Sequence, residues 1–242
     1  MTLVKEIGPE FTPSAHAFVI KRPAWFVRSI REVQHLGGLV QQDAGTTDEV
    51  WLWPSAPALA FATALEHDHV SGSTEPWIQY LVTALLIGLQ RSNMTVLECG
   101  GFVGKTSARL ATTLQAMGGG TLIVAEWDPE APERADLTQA ALEATNCPSV
   151  SWMVRREDAL SVIASLPDES LDFVFLDDNH EHAHVDEELR LVIPKVKVGG
   201  LVTGHDVWGS CALHEEFAKY GGYALDLPKL GAAGGLGLIQ IR

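Results

Sequence analysis

The chain has 242 residues, of which 46% are hydrophobic and 20% charged, so it can form one large α/β domain with a buried core or such a domain plus a small appendage. The formal net charge of −14 argues against nucleic acid or an anionic membrane as a partner, because both require a basic surface. The three scattered cysteines, Cys99, Cys147 and Cys211, show neither a disulfide framework nor a zinc spacing, so we expect a reducing cytoplasm. No apolar run is long enough to cross a bilayer, and the first residues lack a signal-peptide pattern.

Residues 1–72 carry no motif that indicates a function. Helical spacing predicts a helix over residues 23–33, and Trp51, Trp53 and the run 56–65 predict a second helix that is partly buried. We expect a helical segment that covers the substrate or joins two copies in a homodimer, since aromatic-rich surface is common in interfaces. The tryptophans of this segment are expected in the core or at a dimer contact rather than in a pocket lid.

From residue 73 to residue 242 the pattern alternates short apolar strands with helices. Strands are predicted at 96–98, 121–125, 150–154, 171–176 and 201–203, and helices at 76–90, 105–117, 133–144, 159–166, 184–192 and 213–220. This alternation is typical of a doubly wound, mostly parallel sheet of α/β class with right-handed crossovers. The last two predicted strands, 223–227 and 236–241, have only a glycine-rich loop between them, so they should form an antiparallel hairpin and complete a seven-stranded sheet.

The first strand of this domain runs into a glycine-rich turn and then a helix, in the sequence VLECGGFVGKTS from Val96 to Ser107. Glycine allows the backbone to approach a ligand closely, and the N-terminus of the following helix offers free N–H groups to an anion. Glu98, at the end of the strand, repels phosphate groups and attracts hydroxyls or cations.

Acidic residues follow every parallel strand of the predicted sheet, where ligands of such sheets bind. They are Glu98, Glu126, Glu157 and Asp158, Asp177 and Asp178, and Asp206. A polyphosphate site would instead collect lysine, arginine and backbone N–H groups. The acids indicate a ligand with hydroxyls, amino groups or positive charge, or a metal ion.

A nucleotide hydrolase is the main alternative from the residues alone. Residues 99–106 match the P-loop pattern G-x-x-x-x-G-K-[ST], except that Cys99 replaces the first glycine. Residues 173–177 would supply the acidic, metal-binding strand of such an enzyme. Glu98 and Glu126 would then lie beside the phosphates, which argues against this alternative.

Over residues 73–242 the motifs resemble those of class I S-adenosylmethionine-dependent methyltransferases. The run 96–104 is similar to the first motif of that family, an acid followed by spaced glycines. The resemblance implies that the methionine part of the cofactor lies over this turn and over Asp177, with its carboxylate near Thr106 or Ser107. The turn residues concerned are Glu98, Cys99, Gly100 and Gly104. It also implies that Glu126 binds the ribose hydroxyls, that Trp127 stacks by the adenine, and that Asp158 and Ala159 contact the adenine edge.

The runs 171–180 and 198–207 resemble small-molecule O-methyltransferases, such as the catechol and macrocin-like enzymes. That resemblance implies a divalent cation, magnesium or manganese, held by Asp177, His205 and Asp206. His205 replaces the usual acid, which leaves room for a softer ion such as iron, or for no metal.

His180 is the candidate general base, because histidine is the usual side chain for this role and it follows Asp177 by three residues. Its alternative role is a helix-start residue that hydrogen-bonds to backbone. We expect His182 and His184 to be solvated or structural. The acidic run 186–188 is expected on a solvated helix face.

The sequence thus predicts an S-adenosylmethionine-dependent methyltransferase that acts on a hydroxyl of a small molecule. The alternatives are a P-loop-like nucleotide hydrolase and a non-catalytic cofactor-binding protein. The sequence leaves the acceptor open among phenols, sugar hydroxyls, carboxylates and amines.

Overall fold

The structure, a computed structural model, describes residues 18–21, 39–43, 49–54, 74, 76–89, 91–207, 213–225 and 234–242. Within residues 1–72 the described parts are strands: β1 (Phe18–Lys21), β2 (Leu39–Asp43) and β3 (Glu49–Pro54). They form an antiparallel sheet in the order β1-β3-β2.

The prediction that Trp51 and Trp53 open a helix is wrong, because both lie in β3. The run EVWLWP has aromatic and β-branched residues spaced two apart, which favours a strand. Both predicted N-terminal helices, over 23–33 and 56–65, and the position of Trp25 lie outside the described residues. The covering or dimerising role of residues 1–72 stays a prediction.

A seven-stranded sheet forms the rest of the fold, in the order β6-β5-β4-β7-β8-β10-β9. Its strands are β4 (Met94–Cys99), β5 (Gly120–Ala125), β6 (Val150–Arg155), β7 (Leu171–Leu176), β8 (Val196–His205), β9 (Tyr223–Leu225) and β10 (Leu236–Gln240). Strands β4 to β8 are parallel, and β10 is antiparallel to both β8 and β9. The predicted terminal hairpin is confirmed, with β10 lying between its partner β9 and β8.

Six α-helices flank this sheet in the described part of the chain. They are α1 (Pro76–Gly88), α2 (Lys105–Ala116), α3 (Glu133–Ala144), α4 (Ala159–Ser165), α5 (His182–Val192) and α6 (His214–Lys219). Among the described helices, none is both long enough and apolar enough to cross a membrane.

Both faces of the sheet are covered, and the strand sequences show why. Successive side chains of a strand point to opposite faces. Val96 packs with helices α1 to α3 in one core cluster, whereas its neighbour Leu97 packs with α4 to α6 in the other. Phe173 and Val174 divide in the same way on the neighbouring strand. Because both faces are buried, these strands read as continuous apolar runs, and the predicted doubly wound fold is confirmed.

Strand β8 starts five residues earlier than predicted, at Val196 instead of Leu201. The pairing of β7 with β8 shifts register between Leu171 and Phe173, where the extra residues of β8 are accommodated. Gly199 has a φ of +77° in this irregularity, and a β-carbon at Gly200 would lie 2.8 Å from the carbonyl oxygen of Asp172. The two glycines therefore mark a bulge within the strand, not a turn before it.

Candidate active site

A cleft of about 640 Å³ opens at the carboxyl ends of β4 to β8. Six carboxylates line it: Glu126, Asp128, Asp158, Asp177, Asp178 and Asp206. Its wall also contains the histidines His180, His184 and His205 and the cations Lys105 and Arg134. The excess of acid over base favours a ligand that carries positive charge or hydroxyl groups.

The glycine-rich turn forms the floor of this cleft and is packed against two neighbours. Gly100 has a φ of +87°, and a β-carbon there would lie 2.2 Å from the carbonyl oxygen of Asp177. Gly104, with a φ of +80°, precedes α2, and a β-carbon there would lie 2.5 Å from the Ala141 side chain of α3. Both positions require glycine for conformation and for space.

Glu98 and Cys99 lie beneath the turn and do not line the cleft, although the sequence places both in the cofactor site. Burial raises the pKa of the Glu98 carboxyl from 4.5 to about 8, although the hydrogen bond from Ser107 lowers it. Ser107 Oγ donates this bond to Glu98 Oε2 over 2.5 Å. The Cys99 carbonyl accepts the N–H of Asp177 over 2.9 Å, so this residue ties the end of β4 to the end of β7. Their contact with a cofactor stays a prediction.

Glu126 and Trp127 lie in the wall after β5, as the resemblance implies. Glu126 is 6% exposed and accepts the N–H of Phe102 over 2.6 Å. Burial raises the pKa of this carboxyl, whereas the Phe102 N–H and the charge of Arg134 lower it. Trp127 is 55% exposed, so its ring is available for stacking.

Arg134 is a residue of the wall that the sequence analysis did not identify. Its guanidinium lies 4.8 Å from the centre of the Phe102 ring and pairs with Asp128 over 2.6 Å. These contacts hold the Phe102 side of the turn next to Glu126. No motif marks Arg134, because α3 brings it to the cleft from outside the strand ends.

Asp158 and Ala159 also line the cleft. Asp158 caps α4, since its Oδ2 accepts the N–H of Ser161 over 3.0 Å. The helix start therefore orients the Asp158 carboxylate, and its contact with adenine stays a prediction.

Thr74 is a second residue that the sequence did not assign to the site. Its hydroxyl donates to Asp177 Oδ2 over 3.0 Å, and its carbonyl accepts from Lys105 Nζ over 3.1 Å. The Thr106 hydroxyl donates to the Thr74 hydroxyl over 3.3 Å. Because Lys105 is turned toward a backbone carbonyl, the P-loop alternative is weakened.

Asp177 is the centre of an acid–histidine group that we call the cleft cluster: Asp177, His180, His205 and Asp206. His205 Nδ1 lies 2.9 Å and His180 Nε2 lies 3.6 Å from Asp177 Oδ1. Asp206 Oδ2 lies 3.4 Å from His180 Nε2, and Asp206 Oδ1 lies 3.6 Å from His205 Nε2. The structure brings all four predicted residues together.

The histidines set the charge of this cluster. Burial alone would raise the pKa of Asp177, but the contacts with His180 and His205 lower it below its usual value. The contact with Asp177 raises the pKa of His180 above its usual value of 6.5, although burial opposes this. Atoms that can bind a metal come together within 4.8 Å on Asp177, His180 and His205. This group contains two of the three predicted ligands, and Asp206 flanks it.

A second group, which we call the inner cluster, consists of Asp178, His184 and Glu188. Glu188 is fully buried, so the prediction that it lies on a solvated helix face is wrong. It follows Val185 and precedes Leu189 on the face of α5 that packs on the sheet. His182, by contrast, is 53% exposed and pairs with Glu216 over 3.1 Å outside the cleft.

Comparison with known proteins agrees with this architecture. The model of a family described as "Methyltransferase domain" matches residues 97–207. No curated protein matches the chain.

Solved structures share the fold at low sequence identity. An O-methyltransferase from Bacillus cereus in complex with S-adenosylhomocysteine (17% identity, TM-score 0.55) covers 77% of this chain and 89% of its own. An O-methyltransferase of tomaymycin synthesis from Streptomyces achromogenes in complex with S-adenosylmethionine (20% identity, TM-score 0.55) covers 76% of this chain and 89% of its own. An S-adenosylmethionine-dependent O-methyltransferase from Thermotoga maritima (10% identity, TM-score 0.54) covers 100% of this chain and 98% of its own.

The domain match over residues 97–207 and the sheet order show that the chain has the fold of class I S-adenosylmethionine-dependent methyltransferases. Among solved structures it resembles O-methyltransferases.

Proposed function

We propose that the protein transfers a methyl group from S-adenosylmethionine to a hydroxyl of a small molecule, with His180 as general base. The observation that carries this proposal is the cleft cluster, which presents an imidazole to the same cleft as the glycine-rich turn. The cleft volume of about 640 Å³ lies in the range of small-molecule sites.

The wall suits the cofactor by its charge. S-adenosylmethionine, when bound, supplies an electrophilic methyl group on a positively charged sulfur. Six carboxylates face the cleft, and their field favours a cation over a polyphosphate. Glu126 would bind the ribose hydroxyls, since a carboxylate accepts two hydrogen bonds well. Trp127, Asp158 and Ala159 would contact the adenine.

His180 would take the proton that the acceptor hydroxyl loses. Its Nε2 faces Asp177 and Asp206, and these two carboxylates stabilise the ring once it is protonated. The Asp177 contact raises the pKa of His180 as long as no cation lies on that carboxylate, and only the neutral ring can accept a proton. We therefore expect kcat/KM to rise with pH across the neutral range.

A divalent cation is a further part of the proposal. Asp177, His205 and Asp206 would hold it, and His180 would stay free to accept the proton. Such an ion would lower the pKa of a hydroxyl bound to it and orient that hydroxyl. The mixture of imidazole and carboxylate ligands fits manganese at least as well as magnesium. EDTA treatment should abolish turnover and added Mn²⁺ or Mg²⁺ should restore it; unchanged turnover would remove the ion from the proposal.

The test of the function combines binding with turnover. Calorimetry should detect S-adenosylhomocysteine but not ATP, and tight ATP binding without S-adenosylhomocysteine binding would favour the nucleotide hydrolase. Release of S-adenosylhomocysteine should then be measured with a panel of phenols, sugars, carboxylic acids and amines. We expect turnover with hydroxylated acceptors. Turnover with amines alone would contradict the hydroxyl specificity.

A matched pair of histidine variants tests the base. His180→Gln should lower kcat by about 10²–10⁴-fold, the usual contribution of a general base. His182→Gln, which changes an exposed ring outside the cleft, should leave kcat near the wild-type value. If both variants turn over at the same rate, His180 is not the base. If neither the wild type nor the variants turn over any acceptor, the protein is a cofactor-binding protein rather than an enzyme.

A further inference from the structure

The inner cluster lies one residue beyond Asp177 and is separate from the residues to which the proposed function assigns roles. His184 and Glu188 are four residues apart on α5 and therefore share one helix face. Asp178 approaches them from the loop that follows β7. His184 Nε2 lies 3.1 Å from Asp178 Oδ2 and 3.9 Å from Glu188 Oε2.

Three oxygen atoms of this cluster are buried without a hydrogen-bond partner in the described part of the chain. They are both carboxylate oxygens of Glu188 and Oδ1 of Asp178. The Glu188 side chain is 0% exposed. Leaving a buried carboxyl without partners is costly, so such groups are normally paired or bound to a metal. A cavity of about 10 Å³, lined in part by Asp178 and Glu188, lies beside them and has room for about one small guest.

The distances suit a metal ion. Ligand atoms at about 2.0–2.2 Å from a common tetrahedral ion lie roughly 3.2–3.6 Å apart. The separation of 3.1 Å between His184 Nε2 and Asp178 Oδ2 is close to that range, and the 3.9 Å between His184 Nε2 and Glu188 Oε2 is slightly longer. Ligand atoms of all three residues come together within 4.8 Å.

The ligand types select a borderline ion over magnesium. Zn²⁺ accepts both imidazole and carboxylate ligands, whereas Mg²⁺ prefers oxygen ligands alone. The Cys99 thiol adjoins the cluster, because Glu188 is among the groups that raise its pKa.

We propose that Asp178, His184 and Glu188 bind one Zn²⁺ ion, distinct from any cation of the cleft cluster. The ion ties the first turn of α5 to the end of β7. Its role is structural: it fixes the loop between these elements, which carries Asp177 and His180. Asp178 and His184 reach the cleft, so the ion has a route from solvent.

The test compares the full-length protein with two glutamate variants after removal of metal with a strong chelator. Glu188→Gln changes the buried oxygen, whereas Glu187→Gln changes an adjacent, 41% exposed residue that pairs with Arg190. Since the proposed function also gives the cleft cluster a cation, every protein in the comparison carries Asp206→Asn; in this background Zn²⁺ should bind the otherwise unchanged chain and Glu187→Gln with one tight site per chain. It should bind Glu188→Gln at least about 10–100-fold more weakly, the loss typical even of outer partners of a metal site. At about 100 times the dissociation constant, Zn²⁺ should raise the Tm of the first two proteins by roughly 5 °C.

Further measurements distinguish Zn²⁺ binding at the inner cluster from binding at the cleft cluster. Asp206→Asn should retain the tight Zn²⁺ site, because Asp206 is not a ligand in the proposal. If Glu188→Gln fails to fold, His184→Gln serves as the second variant. Independently of both variants, Co²⁺ absorption spectra of wild type report whether an imidazole and carboxylates bind the ion. Absence of tight Zn²⁺ binding by wild type, or equal binding by Glu188→Gln, would overturn the proposal. Glu188 would then be a neutral carboxylic acid whose O–H donates a hydrogen bond to the Asp178 carboxylate.

Discussion

The cleft cluster and the inner cluster are built from the same residue types and start at adjacent positions, yet they differ in charge. Asp177 is 13% exposed at its side chain and has Thr74, His180 and His205 as partners, so its pKa is lowered. Glu188 is 0% exposed, and burial with the nearby charge of Asp178 raises its pKa well above the usual value.

The difference shows that burial alone does not decide the charge of a carboxyl. Asp177 stays ionised because donors surround it, whereas Glu188 must be neutral or must bind a cation. Glu98 resembles Glu188 in this respect, since its Oε1 also has no hydrogen-bond partner in the described residues. A partnered carboxylate, Asp177, therefore faces the cleft, whereas Glu98 and Glu188 are buried and poorly partnered.

The largest expected effect comes from removing the charge of the partnered acid. Asp177→Asn should reduce kcat/KM by about 10²–10⁴-fold, because the carboxylate that orients His180 and His205 is lost. Asp186→Asn, on the exposed part of α5, is the control and should retain activity. The measurement is S-adenosylhomocysteine release with an accepted substrate. An Asp177→Asn rate within fivefold of wild type would contradict the proposed role of the cluster.

The second effect concerns the pH dependence of stability. The folded-state pKa of Glu98 is raised from 4.5 to about 8, so the folded protein holds a proton that the unfolded chain releases. Stability should therefore fall as pH rises from about 4.5 to about 8, by at most about 5 kcal/mol at about 1.4 kcal/mol per pKa unit. Asp177 acts with the opposite sign, since its lowered pKa contributes stability that is lost in acid.

Glu98→Gln separates these contributions. The variant should lose the part of the fall in unfolding free energy between pH 5.5 and pH 8.5 that Glu98 contributes, while the raised pKa of Glu188 keeps its own part, as measured by urea denaturation. Glu143→Gln, an exposed residue that accepts a bond from Gln139, should keep the wild-type slope. An unchanged slope in Glu98→Gln would mean that Glu98 is ionised beneath the turn.

A third, smaller effect is expected at the contact between the turn and the end of β7. Gly100 and Gly118 both have positive φ values, +87° and +98°, but only Gly100 has backbone within 4 Å of an added β-carbon. Gly118→Ala should cost about 1 kcal/mol of unfolding free energy for its φ alone. Gly100→Ala should cost about 1–3 kcal/mol more, because the β-carbon meets the Asp177 carbonyl. Equal costs would show that the turn moves away freely.

The smallest effect is expected at the exposed rim of the cleft, where the candidate residue is an aromatic ring rather than a buried acid or histidine. Trp127→Ala should weaken S-adenosylhomocysteine binding by about 3–10-fold, the usual value of one stacking contact. Met153→Ala is the control, since Met153 is 47% exposed on β6 but does not line the cleft. Calorimetry measures both. If Trp127→Ala binds S-adenosylhomocysteine with unchanged affinity, the adenine does not stack on Trp127.

Much of the main domain was readable because its signals are local. Alternating strands and helices predicted the bounds of α3 and β7 without error. The acids after each strand identified Glu126, Asp158 and Asp177 in the cleft, since parallel strands end at one edge. By contrast, Arg134 and Thr74 carry no local signal, because neither lies at the end of a parallel strand.

The sequence by itself determined the doubly wound sheet, the antiparallel last strand and the acidic character of the cleft. These follow from apolar periodicity and from residues at strand ends, which depend only on neighbours along the chain. The tertiary structure decided which carboxyl is charged. The sequence predicted His180 as the candidate base three residues after Asp177, but only packing shows that the Glu188 side chain faces the sheet rather than solvent. A buried acid and a solvated acid have the same sequence signal, and only the surrounding dielectric and partners distinguish them.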